Sequence, residues 1–312
     1  ATGLGVALDA AARGFSVALV ESHDFAKGTS SRATKLVHGG VRYLAQGNIA
    51  LVREALHERT TLLKNAPHLA QPLAFVMPSY HCWEAPFYGV GLKMYDALAG
   101  KSGLGPTEFL GAGRTLQCLP TVRAQGLKGG VKYWDGQFDD ARLALALART
   151  AALHGALLVN YCAARELLHE NGRVSGVVCE DTETGVLHTL RARCIVNATG
   201  VWVDALRQQD GEATGRPVKP IVAPSQGVHV VVDREFLASD HALMVPKTAD
   251  GRVLFAVPWL GKVILGTTDS PRHDLEREPE PFPEEMAFIL QESARYLRKA
   301  PTPEDIRSIW VG

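Results

Sequence analysis

The chain has little of several things, and each shortfall excludes a class of protein. Its 33 basic and 33 acidic side chains cancel, so there is no field of one sign to gather a polyanion, and no nucleic-acid partner is expected. Cysteine is sparse. Cys82, Cys118, Cys162, Cys179 and Cys194 are odd in number and lack CxxC spacing, which reads as reduced packing residues rather than a disulfide frame or a zinc site; no metal is expected. No apolar run reaches the ~20 residues needed to cross a bilayer. Internal repeats and low-complexity tracts are missing too, and the Pro/Glu-rich stretch from Glu276 to Glu285 reads as a surface loop. What is present, 312 residues of which 46% are hydrophobic and 21% charged, can bury a sizeable core split into two structural regions.

Ala1 to Gly14 sets small and apolar residues in a helical pattern, and Phe15 to Val20 then reads as a short apolar strand closed by Glu21. This is the second half of a βαβ unit. In the dinucleotide fingerprint the last glycine lets helix and strand pack closely, the helix N-terminus faces the pyrophosphate, and an acid about 20 residues on takes the ribose hydroxyls. Gly3, with Thr2 beside it, and Glu21 have about that spacing. The first strand and first two glycines of the fingerprint would lie just before Ala1, so the chain is expected to start inside its own motif.

Further on, the pattern predicts a helix from Ile49 to Ala66 stopped by Pro67, and another from Ala141 to His154 capped by Asp139 or Asp140. Strands follow over Leu157–Tyr161, Arg165–His169, Val174–Cys179 and Val186–Leu190, with an Asn171-Gly172 turn, as a β-meander returning to a main sheet through Cys194–Ala198. Val228–Val232, Ala242–Pro246, Val253–Pro258 and Val263–Gly266 read as strands of a second sheet. Pro283–Ala300 reads as an amphipathic helix and Ile306–Val311 as a further strand. Taken alone, these residues lead to a flavin or nicotinamide oxidoreductase.

Residues 28 to 44 are the most informative stretch. Gly-Thr-Ser-Ser-x-x-x-Lys-Leu-x-His-Gly-Gly-x-Arg-Tyr-Leu packs hydroxyls, cations, a histidine and a glycine pair just past the strand that ends in Glu21. With the Ala-Thr-Gly-Leu-Gly-Val-Ala-Leu-Asp opening, Asp139-Asp140-Ala141-Arg142-Leu143, Val196-Asn197-Ala198-Thr199-Gly200-Val201-Trp202-Val203, Gly227-Val228-His229-Val230-Val231-Val232, Pro258-Trp259 and Gly266-Thr267-Thr268-Asp269, it resembles the flavin-dependent glycerol-3-phosphate dehydrogenases of the aerobic, respiratory type. The blocks run in the family's order along nearly the whole chain.

The resemblance implies an α/β fold: a Rossmann-like FAD-binding domain of the glutathione-reductase/DAO type with an antiparallel β-sheet substrate domain. The expected segments are 1–75 and 136–215 for the FAD region, 76–135 and 216–312 for the substrate region. It implies oxidation of sn-glycerol 3-phosphate to dihydroxyacetone phosphate, with FAD as cofactor and quinone as electron acceptor. Peripheral attachment follows, at the cytoplasmic face of the inner membrane for a bacterial source. The oligomeric state stays open, a homodimer included. Rival readings are an oxygen-using oxidase or a DAO-type amine oxidase and, in another class, an inactive flavin-binding assembly module.

By the same resemblance Thr2, Gly3, Glu21, Thr29, Ser30, Ser31, Leu36, His38, Gly39, Ala198, Thr199 and Gly200 would hold the flavin. Arg42 and Tyr43 would sit at its substrate end, where a guanidinium suits phosphate oxygens. Lys35 either stabilises charge on the reduced ring or ties down the loop. His38 and His229 compete to take the C2 hydroxyl proton, since imidazole titrates near neutrality. Thr267, Thr268 and Asp269 line the pocket or make a tight turn, and Trp202 and Trp259 exclude water or simply pack. The helical stretch Ala85–Leu98 either lies in a lipid interface or packs on the substrate domain. The family continues past Gly312 into another substrate arginine and a glycine-rich flavin-covering segment, so the 312-residue chain alone is expected to bind flavin poorly and turn over slowly or not at all.

Overall fold

In the computed structural model, which describes residues 1–40, 47–248 and 251–312, two sheets of different character meet at the loop after Glu21. Arg42 and Tyr43 lie outside the described residues. The smaller sheet pairs Ala18–Val20 with Leu157–Val159 in parallel. Helices Thr2–Ala12 and Asp140–Leu153 pack together beside it. Their contact is made of Leu4, Ala11, Ala144, Ala148 and Ala151, small enough for close approach. Asp139 caps the second helix by accepting from the Arg142 amide at 3.0 Å, as its position before the apolar run predicts.

Among the described residues the larger sheet has nine strands. Across it run Ser308–Val311, Val228–Asp233, Lys262–Gly266, Leu254–Trp259, Ala242–Val245, Ala70–Ser79, Gly129–Phe138 and Leu36–Val37, with Glu108–Gly111 also on Gly129–Phe138. All these pairings are antiparallel except Ala242–Val245 against Ala70–Ser79. One face buries Val228, Val230, Val232, Leu243, Val245 and Leu265 under Leu119, Leu237 and Ile289; the other buries Phe75, Tyr133, Val257 and Ile264 under Leu92. Burial on both faces explains the near-continuous apolar runs. The strands Ala70–Ser79 and Gly129–Phe138 run through positions 75/76 and 135/136, where segment boundaries were expected.

The meander forms a separate three-stranded sheet, Cys162–Glu170, Arg173–Asp181 and Leu187–Arg191. Its expected return through Cys194–Ala198 as a strand does not occur: that segment is irregular, because no described strand lies beside it to complete a ladder. The helix expected to reach Ala300 ends at Tyr296, where Leu297 turns extended and bridges to Val122. Glu285, assigned to a surface loop, is buried instead. It sits in that helix's first turn and accepts from the Phe282 amide, the Gln226 side chain and the Thr268 hydroxyl.

Helix Glu84–Ala99 turns Gly89, Leu92, Tyr95 and Ala99 inward, while Phe87, Val90 and Met94 stay exposed. No helix among the described residues is long and apolar enough to cross a membrane.

Candidate active site

The loop from Gly28 to Gly40 is held at both ends. Thr29–Ser31 form a single 3-10 turn. Behind it the Lys35 ammonium donates to the Ser31 carbonyl at 2.7 Å and to Asp140 Oδ1 at 2.6 Å, and Asp140 Oδ2 accepts from the Ala33 amide. Lys35 is therefore engaged in tying the loop to the start of helix Asp140–Leu153. At the other end Leu36 and Val37 pair with Gln137 and Gly136, and the Trp310 indole donates to the Arg32 carbonyl at 3.0 Å. One short loop thus joins both sheets.

On the first side lies a groove of about 1690 Å³, lined by Gly3, Glu21, Thr29, Ser30, Ala198, Thr199 and Gly200, with Trp202 and Arg277 among its walls. It is well above the roughly 300–1,000 Å³ of an ordinary small-ligand cleft. At Gly3 a Cβ would stand 3.3 Å from the Ala198 Cβ, so a side chain there would push helix and 198–200 segment apart. Glu21 accepts from the His23 amide at 3.0 Å. The Arg277 guanidinium lies 4.5 Å over the Trp202 ring, and Trp202 donates to the Leu275 carbonyl.

Not every expected residue faces this groove. Thr2 is exposed on the opening turn of its helix and is absent from the lining, as is Ser31, whose carbonyl serves Lys35. The Leu36 side chain is buried in the core with Phe75 and Tyr133, because the strand pairing turns it inward. Thr268 is a structural tie, accepting from the Val228 amide and donating to Glu285.

The second side of the loop carries the histidines. The side chain of His38 is 39% exposed, stacks on Phe255 at 5.6 Å between centroids, and sets Nδ1 3.3 Å from Asp135 Oδ2. Asp135 is fully buried. Its Oδ1 accepts from the Gly39 amide at 3.0 Å, the Gly136 amide at 3.0 Å and Arg59 Nη1 at 2.9 Å. Arg59, itself 1% exposed, also donates to Tyr95 Oη and the Ser102 carbonyl. Burial pushes the Asp135 carboxyl up, but His38 and Arg59 together outweigh it and hold the group below the usual carboxylate range. Gly39 fits because nothing larger can: a Cβ would lie 1.9 Å from Tyr95 Oη.

His229 stands otherwise. It is 4% exposed, sits in strand Val228–Asp233 and stacks on Trp310 at 5.3 Å. Its Nε2 is 2.7 Å from Thr34 Oγ1, and Nδ1 has no partner among the described residues. Burial, and then the charge of Lys35, push its pKa down to about 3. It is a neutral ring in a dry setting.

Asp135, Arg59 and Tyr95 were not among the expected site residues. Asp135 carried a signal, a lone acid between aromatic Tyr133-Trp134 and Phe138 in an otherwise buried strand. Arg59 follows Val52 and Leu56 at spacings of four and three, which puts it on their inward helical face.

The family description FAD dependent oxidoreductase matches residues 1–312. The chain is 46% identical over 310 residues to the mitochondrial glycerol-3-phosphate dehydrogenase of Rattus norvegicus, covering 95% of this chain and 42% of that protein. With the mitochondrial glycerol-3-phosphate dehydrogenase of Saccharomyces cerevisiae it shares 39% identity over 100% of this chain and 52% of the relative. The structure of glycerol-3-phosphate dehydrogenase from Bacillus halodurans complexed with FAD matches with a TM-score of 0.79 at 33% identity, covering 100% of this chain and 54% of the other. L-alpha-glycerophosphate oxidase from Mycoplasma pneumoniae, at a TM-score of 0.74 and 16% identity, shares the fold. The chain spans about half the length of the relatives it matches. The expected α/β class, with an FAD-binding region and a largely antiparallel second sheet, is borne out.

Proposed function

This chain belongs to the FAD dependent oxidoreductase family, and from that premise we propose that it is the flavin-cradling part of a dehydrogenase that oxidises sn-glycerol 3-phosphate to dihydroxyacetone phosphate. The observation that carries this reading is the 46% identity to a glycerol-3-phosphate dehydrogenase over 95% of the chain. FAD, the family's cofactor, supplies the acceptor for the C2 hydride when bound. The groove suits a dinucleotide: it is large, its walls approach closely at Gly3 and Ala198, a helix starts beside it, and Thr29, Ser30, Thr199 and Glu21 offer hydroxyls and a carboxylate along it.

In this reading the helix start at Gly3 takes the pyrophosphate and Glu21 the ribose hydroxyls. His38 accepts the C2 hydroxyl proton on Nε2. His229, with its pKa pushed to about 3, is too weak a base for that step and walls the pocket as a neutral ring. Arg42 grips the phosphate and Tyr43 stands beside it; both roles come from the sequence resemblance. Anaerobic titration of the flavin-loaded full-length dehydrogenase with glycerol 3-phosphate should bleach the flavin, and Arg42→Ala should weaken substrate affinity at least tenfold. Absence of bleaching would overturn the assignment, and bleaching by sarcosine or glycine instead would favour the amine-oxidising relatives. Hydrogen peroxide formed stoichiometrically in air would replace quinone by oxygen as acceptor.

Electron delivery to membrane quinone implies peripheral attachment. Supporting it is the exposed apolar stripe Phe87, Val90 and Met94 on a helix whose other face is packed. Co-sedimentation with lipid vesicles should be lost in the Phe87→Asp, Val90→Asp double variant; unchanged binding would assign attachment elsewhere. The relatives' names carry a mitochondrial location; for a bacterial source the corresponding site is the cytoplasmic face of the inner membrane.

A further inference from the structure

The carboxylate beneath His38 is built asymmetrically, and the asymmetry has a chemical consequence. Three donors, the Gly39 amide, the Gly136 amide and Arg59 Nη1, converge on Asp135 Oδ1. Oδ2 is left to the His38 ring at 3.3 Å. An ionised carboxylate oxygen only accepts, so the nitrogen facing it must carry a hydrogen. That fixes the neutral imidazole as the Nδ1–H form and leaves the Nε2 lone pair on the opposite edge of a half-exposed ring. Arg59 is what allows a carboxylate to stay ionised in a fully buried place, since an unpaired buried charge would otherwise neutralise. Its own orientation is set by Tyr95 Oη and the Ser102 carbonyl.

We propose that Asp135, held by Arg59, is a positioning residue that sets the tautomer and direction of His38 so that Nε2 can take the substrate's hydroxyl proton. Phe255 fixes the ring plane from the side. The proton step balances simply: the O–H bond breaks, an Nε2–H bond forms, and the resulting imidazolium is stabilised by the Asp135 carboxylate, which itself stays unprotonated. This inference rests on the reading of His38 as proton acceptor given above.

Asp135→Asn makes a sharp test because the three donors at Oδ1 require an oxygen there. The amide nitrogen must then occupy the Oδ2 position and donate to His38 Nδ1, which reverses the tautomer. Ring ¹⁵N spectra of the flavin-loaded full-length dehydrogenase, with the His38 signal assigned by its loss in His38→Gln, should show the Nδ1–H form in the wild type and the Nε2–H form in Asp135→Asn. Correct general acid–base placement is worth about 10²–10⁴ in rate, so kcat of Asp135→Asn should fall roughly 10²-fold or more with KM for glycerol 3-phosphate changed less than about threefold. A wild-type ring in the Nε2–H form overturns the proposal without any variant, and so does an unchanged tautomer in a folded Asp135→Asn. A reversed tautomer together with full turnover in His38→Gln would instead remove His38 from the chemistry and leave the Asp135 geometry standing.

Discussion

The floor under His38 and the pocket around His229 bury polar groups in opposite ways. Under His38 the buried groups are charged and paired, Asp135 accepting from Arg59 and from the Gly39 and Gly136 amides, with Arg59 Nε alone of these unpartnered among the described residues, and the imidazole is half in solvent. Around His229 the ring is buried against Trp310, with a hydroxyl as its hydrogen-bond partner and one nitrogen unpartnered among the described residues. A paired buried charge can support an exposed ring through a proton transfer, because the countercharge is already fixed before the proton arrives. A neutral ring in a dry setting beside Lys35 cannot, since protonation would add a second buried cation next to the first. The two histidines are of one residue type, and their surroundings make them chemically different.

The comparison breaks most easily at Arg59. Arg59→Met should leave the Asp135 charge buried without its fixed partner, and removing one member of a buried pair costs about 3–5 kcal/mol. Urea unfolding monitored by intrinsic fluorescence would measure it. Restoring neutrality with Arg59→Met combined with Asp135→Asn should recover part of the loss. A cost for Arg59→Met below about 1 kcal/mol, the range of an exposed pair, would mean that the floor under His38 is not held by charge.

Much of this site was legible in the sequence, for reasons that also mark where reading stopped. The helix from Asp140 and the strand at Val228 show up because caps and apolar periodicity are local. The segment 28–44 stands out because hydroxyls, cations and paired glycines crowd a short interval. Lys35 could be narrowed only to two roles, since the choice depended on Asp140, over a hundred positions away and brought near by helix packing. Leu36 was expected at the flavin and lies in the core, because a two-residue strand paired to Gln137 and Gly136 turns it inward. His38 and His229 could not be ranked at all: one has a carboxylate beneath it from position 135, the other a hydroxyl from position 34, and neither pairing leaves a local trace. Arg59 was readable in principle from its spacing to Val52 and Leu56, but a lone arginine in a charged helix ordinarily faces water.

A smaller effect sharpens the other half of the comparison. The folded His229 ring titrates near 3 where the free side chain titrates at 6.5, so between those values the unfolded chain binds a proton that the folded chain refuses. Stability from this residue is therefore complete above about pH 6.5 and is lost as the pH falls towards 3, at up to about 1.4 kcal/mol per pH unit. Replacing His229 by Gln removes the titration while keeping a hydrogen-bonding group for Thr34. Urea unfolding between pH 7 and pH 4 should accordingly give a shallower acid decline for His229→Gln than for the wild type, the two curves separating only below pH 6.5. An acid decline left untouched in a folded His229→Gln would mean that the ring is not held neutral by its burial, and the dry, neutral character of the His229 pocket would be wrong.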